Sequence, residues 1–151
     1  MYTKEEAREM RLAFWDGFKR YSKKSGRKMT SWVLKGTQIR EAQLKFDCSE
    51  KEARVSLQID HKFDESRLQV YQRFEKYRPV INDTCGEELI WNPNFYIEGF
   101  KEVSLIYYQL DGVSIYRKEQ WEQIYAFFVE KMTLLEEAFL DVKDVVRLSE
   151  M

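Results

Sequence analysis

The sequence predicts a mixed α+β domain, with a mainly antiparallel sheet packed by an N-terminal, a middle and a long C-terminal helix. The order read along the chain is α-β-β-β-α-β-β-β-α. Three observations carry this. Apolar residues recur at spacings of three and four near both ends of the chain, which marks helices with one buried face. Between residues 42 and 59 the period changes to two, twice over, with a short polar turn between the runs. Helical spacing then returns before a further set of β-rich runs. There are no repeats or low-complexity tracts, and only two prolines, Pro79 and Pro93, so residues 1–151 read as one domain.

The first helix is expected from about residue 4 to 23. Ala7, Met10, Phe14, Phe18 and Tyr21 form its apolar stripe, which Trp15 widens. Thr3 and Glu6 have the spacing of a capping box, and Gly26 is the expected stop. "TSWVLKG" (30–36) reads as a strand or an irregular extended piece. Ala42, Leu44, Phe46 and Cys48 alternate with polar residues, as do Ala53, Val55, Leu57 and Ile59, so the two runs form a hairpin. If Cys48 faces Ala53, partner numbers sum to 101, and Glu41 falls opposite Asp60 on the polar face.

Leu68, Tyr71, Phe74 and Tyr77 give the middle helix, ended by Pro79. "EELIW", "EVSLIYYQL" and "VSIYR" read as strands, the last two joined by Asp111-Gly112, a dipeptide suited to a tight hairpin turn. From Trp121 the positions Tyr125, Phe128, Met132, Leu135, Phe139, Val142 and Val146 keep spacings of four and three without a polar member. That stripe lies on the core, or on the core with Phe139, Val142 and Val146 carried past the domain edge as a helical tail over 139–151. An exposed tail would be a contact for a second copy or a protein partner.

Composition excludes several function classes. Hydrophobic residues make up 44% and charged residues 34%, no apolar run nears the ~20 residues of a spanning helix, and the N-terminus is charged. A soluble, cytoplasmic protein is expected. Two cysteines, Cys48 and Cys85, and one histidine, His61, are too few for a cysteine/histidine zinc site and leave no nucleophile–histidine pair in view. Sequence signatures for phosphate-binding loops, dinucleotide folds, zinc proteases and serine hydrolases are absent. No cofactor is expected.

Charge is uneven beneath a net −1. Residues 1–40 carry eleven Lys/Arg against four Asp/Glu, and residues from 76 onward carry eight against fourteen. Such a split fits an anionic partner for the first part, or mutual attraction between halves or copies. Lys19, Arg20, Lys23, Lys24, Arg27 and Lys28 concentrate the positive charge, off the aromatic stripe of the first helix. They can contact phosphates, although cations at a helix C-terminus also complement its dipole.

The first six expected elements match the core order of the PD-(D/E)xK nucleases, and Asp60-His61-Lys62 reads D-x-K. The register leaves Glu41, Asp60 and Lys62 as the workable catalytic set, with Glu6 or Glu9 of the first helix as an optional further member and magnesium as the metal it would need. Asp47 falls about 20 Å along the strand from Asp60 and cannot share a metal with it. As plain structure, Asp60 and Asp64 open the middle helix, with Asp64 as its N-cap. A pocket around Trp91 and Tyr96 is a third option, for a small ligand.

"FWDGFKRY", "WVLKG", "VSLQIDHKFDESRLQVYQRFE", "EELIW" and "EQWEQIYAFFVEKMTLLEEAF", in that order, resemble a bacterial family catalogued as Domain of Unknown Function 4268. The resemblance spans nearly the whole chain and rests on spread hydrophobic anchors. It implies no assigned activity and supplies no catalytic residues. Members are similar to segments found beside nuclease-type domains in longer bacterial proteins, which implies a nucleic-acid-related or defence-related accessory role. The expectation is therefore a non-enzymatic, self-associating binding module, or else a nucleic-acid accessory or degenerate nuclease.

Overall fold

The structure is a computed structural model and describes residues 2–26, 37–97, 99 and 101–148. The stretch 27–36, with the expected strand over 30–36 and two of the basic residues, Arg27 and Lys28, lies outside the described residues. Helix α1 runs Lys4–Lys24, and its capping box forms: the Glu6 N–H donates to Thr3 Oγ1 at 3.1 Å. Gly26 follows at φ +93°, a left-handed conformation that releases the chain from the helix. Strands β1 (Ala42–Cys48) and β2 (Glu52–Ile59) pair antiparallel with Cys48 opposite Ala53 and Ala42 opposite Ile59, the register expected from their alternation.

The middle of the chain holds two helices rather than one. Helix α2 (Asp64–Glu75) stops before Pro79, and α3 (Arg78–Cys85) begins there, with the proline in its first turn. Proline lacks the N–H that a first turn leaves unbonded anyway, so it starts α3 as naturally as it ends α2. Phe63, not Asp64, occupies the N-cap of α2, and Asp64 is its first residue. Strands β3 (Ile90–Ile97) and β4 (Lys101–Asp111) complete a four-stranded antiparallel sheet in the order β1-β2-β4-β3. A one-turn 3-10 helix (Lys118–Gln120) leads into α4 (Trp121–Leu148).

"VSIYR" is not a strand, and the sheet order explains why. Strand β4 is flanked by β2 and β3, so a segment turning back at Gly112 finds no free edge beside it. Gly112 N–H and Ile115 N–H instead donate to Lys51 and Ser49 carbonyls in the β1–β2 turn, at 3.1 and 2.9 Å. Val113 and Ile115 still bury themselves in the core.

One face of the sheet presents Leu44, Phe46, Val55, Leu57, Ile59, Ile106 and Tyr108 to the helices. Seven of the eight residues of the α4 stripe belong to this core and Trp121 packs against it; the three expected to project, Phe139, Val142 and Val146, are 4%, 2% and 0% exposed. Helix α3 lies against α4, where Thr84 Oγ1 donates to Asp141 Oδ2 at 2.9 Å and Phe74 of α2 meets Phe139. The last turns of α4 are thus packed within the chain rather than carried past its edge.

Helices α1 and α4 approach closely at Gly17. A Cβ there would stand 2.4 Å from the Tyr125 hydroxyl, which donates to the Phe14 carbonyl at 2.6 Å. Exchanging glycine for alanine within a helix ordinarily adds roughly 0.5–1 kcal/mol of stability. Gly17→Ala should reverse that sign and destabilise by about 1–3 kcal/mol, as overpacking does. Urea unfolding checks this, and Tyr125→Phe should cost less in the Gly17→Ala background than in the parent protein.

Candidate functional site

The D-x-K residues fall at one end of the sheet, where β2 ends, β4 begins and α2 starts. Asp60, His61, Lys62, Asp64, Lys101 and Glu102 line a cleft of about 370 Å³ there. The Asp60 N–H donates to the Glu41 carbonyl at 2.9 Å, so these two residues are opposite each other, as the register requires. Their side chains are committed differently. Asp60 Oδ2 accepts from Lys101 Nζ in an ion pair, whereas Glu41 Oε2 is buried and has no hydrogen-bond partner among the described residues. Lys62 Nζ lies 5.7 Å above the Phe63 ring. His61 Nδ1 accepts the Phe63 N–H at 2.9 Å, which caps the turn into α2. Among the described residues no three His, Cys, Asp or Glu side chains are grouped to hold a metal ion. Magnesium takes several oxygens at about 2.0–2.1 Å, and here the Asp60 carboxylate is engaged by Lys101.

Beside this cleft lies Arg67, which the periodicity of α2 did not single out. It is fully buried, and its guanidinium donates to the Pro93 carbonyl, to Ser104 Oγ at 2.9 Å and to Asn94 Oδ1 at 3.2 Å. Its charge is balanced by two more exposed carboxylates, Asp64 at 3.6 Å and Glu102 at 3.7 Å. Pro93 and Asn94 belong to the irregular stretch of β3 between Asn92 and Phe95, where the pairing with β4 shifts register. Arg67 thus occupies the carbonyl that the bulge frees from the ladder, and ties α2 to the edge strand.

Neither cysteine is placed for nucleophilic chemistry. Burial, together with the charge of Asp47, pushes the Cys48 thiol up to about 12. Burial also raises that of Cys85, whose Sγ lies 3.9 Å from the Leu134 carbonyl.

The α1 cations form the second candidate. Phe14 and Phe18 are fully buried and Trp15 and Tyr21 half-buried, while Lys19, Arg20, Lys23 and Lys24 are all exposed. None of these four takes part in an ion pair among the described residues. Lys23 and Lys24 stand in the last turn and complement the helix dipole, whereas Lys19 and Arg20 sit a turn further back. Trp91 and Tyr96 do not share a pocket: Trp91 Nε1 donates to Asn82 Oδ1 at 3.1 Å on the helix-covered side, and Tyr96 is 62% exposed.

The model of the family described as Domain of unknown function (DUF4268) matches residues 10–143. The chain belongs to this family. No curated protein and no solved structure matches it. Among the described residues no helix is long and apolar enough to cross a membrane.

Arg67 offers a direct stability test. Arg67→Met removes the donors of three acceptors and leaves Asp64 and Glu102 without their cation. Unfolding in urea should show a loss of about 3 kcal/mol or more. Arg67→Lys should recover little of it, because an ammonium cannot span the same fork of acceptors.

Proposed function

We propose that this chain is a non-enzymatic binding module that serves as a nucleic-acid accessory, docking on phosphates through the second half of α1. The observation that supports this most is the segregation of α1. Its aromatic residues turn to the core, Phe14 and Phe18 fully and Trp15 and Tyr21 in part, and the four cations of its second half are exposed with no carboxylate partner among the described residues. Binding of that kind reads charge and backbone geometry rather than base sequence, because stacking platforms need aromatics on the same surface. A cytoplasmic setting in a bacterium goes with this function. Self-association keeps the charge asymmetry as its support, while the apolar stripe of α4 is spent inside the chain.

Fluorescence anisotropy with duplex and single-stranded DNA and RNA across a salt series tests the proposal. Affinity should fall steeply with salt. Replacing Lys19, Arg20, Lys23 and Lys24 together by glutamine should weaken binding at least ten-fold at low salt. The slope of log K against log salt should shrink by up to about 0.9 for each duplex phosphate that the variant no longer neutralises. Unchanged affinity in that variant, or no binding by the parent protein at low salt, would refute it.

A further inference from the structure

The face of the sheet turned away from the helix-packed core carries a smaller apolar cluster of Val103, Leu105 and Tyr107, with Phe95 and Ile97 against it. Beside it, β2 presents Arg54, Ser56 and Gln58, which alternate with the core residues Val55 and Leu57. A groove of about 430 Å³ runs over this face, with Leu105, Phe95 and Ile97 as its apolar lining and Gln58 and Arg54 as its polar wall.

The polar wall has hydrogen bonds left to make. Gln58 is 7% exposed, and none of the hydrogen bonds among the described residues involves its side-chain amide. Arg54 Nε is buried and likewise has no partner among them; the same holds for Ser56 Oγ, which shares this face but does not line the groove. The rest of Arg54 is held in place: Nη1 donates to Glu52 Oε1 at 3.1 Å, and the guanidinium lies 5.0 Å from the Phe95 ring centre. A buried polar group without a partner costs roughly 1–3 kcal/mol; in the groove Arg54 Nε is such a group, and the Gln58 amide beside it is left to bond a ligand.

We infer that this groove binds a nucleobase-type heterocycle, with its hydrogen-bonding edge on Gln58 and a ring face on the apolar lining. A glutamine amide sets a donor beside an acceptor, the pattern that matches the edge of a base. Cations Lys45, Lys51 and Arg54 around the groove are matched one for one by Asp47, Glu50 and Glu52, so it selects the neutral part of a ligand rather than a phosphate. The volume falls within the range of small-ligand sites. The base comes either from a free nucleoside or from an unpaired position in a strand. The inference does not rest on α1, and the glutamine variant of α1 should retain it.

The test is a proton–nitrogen NMR titration that follows the Gln58 side-chain amide and the backbone amides of Phe95 and Leu105. Adenosine, cytidine, guanosine and uridine are added singly, then a ten-nucleotide single strand, then its duplex. Saturable shifts with a nucleoside or with the single strand are expected; tighter binding of the strand would identify it as the source, and equal or weaker binding would identify the free nucleoside. Gln58→Met should weaken binding at least ten-fold while leaving the melting temperature unchanged or raised, because it deletes an amide that has no partner. Ile97→Trp, which fills the apolar lining from the edge strand, should also abolish binding. No saturable shift with any of these probes, shifts with the duplex alone, or parental affinity in both variants would overturn the inference.

Discussion

The docking of α1 onto α4 is the constraint from which the rest of the molecule follows. At its centre Phe14, Phe18, Phe46 and Phe128 meet edge to face or tilted, with ring centres between 4.9 and 6.2 Å apart. Such pairs add about 0.5–1.5 kcal/mol each beyond the area they bury. Phe46 comes from β1, so the same cluster joins the N-terminal helix, the C-terminal helix and the edge of the sheet. Gly17 is the residue that lets the two helices close to this distance, with the Tyr125 hydroxyl filling the space a side chain would take. Once the aromatics face inward, the periodicity of the helix turns Lys19, Arg20, Lys23 and Lys24 to the outside.

Much of this was legible because it is periodic. The β1–β2 register could be read residue by residue, since a slip by one would put Leu44, Phe46, Val55 and Leu57 on the wrong face. The α4 stripe was equally clear, but its extent along the core was not, because Phe139 meets Phe74 of α2 and the helix that packs along α4 there, α3, was missed. An eight-residue helix that follows another after a two-residue break leaves little periodic signal, and Pro79 reads as a stop as readily as a start. "VSIYR" alternates like a strand, yet pairing needs an available edge, which is a property of the whole sheet.

Arg67 was hidden by its own charge. The buried positions of α2 are Arg67, Val70, Tyr71 and Phe74, so Tyr71 and Phe74 were expected and Arg67 takes the place that hydrophobicity alone gives to Leu68. A charged residue at a core position is recognised only when its acceptors are known, and these come from a bulge some 26 residues away in β3. The same reasoning applies to Glu41 and Asp60. Pairing set them opposite each other, but Lys101 from β4, beyond the reach of hairpin reasoning, takes the Asp60 carboxylate. The polar row on β2 was visible as alternation, but that Arg54 Nε and Ser56 Oγ lack partners among the described residues was not.

Mapping where a nucleic acid touches the molecule tests the division of α1 into a core face and a binding face most directly. A short DNA duplex, which offers phosphates and no free bases, would be added at low salt while the backbone amides are followed by NMR. Shifts that saturate over Lys19–Lys24 and spare both the Asp60–Lys101 cleft and the Gln58 groove are the predicted result. Saturating shifts centred on that cleft, or none anywhere, would contradict it.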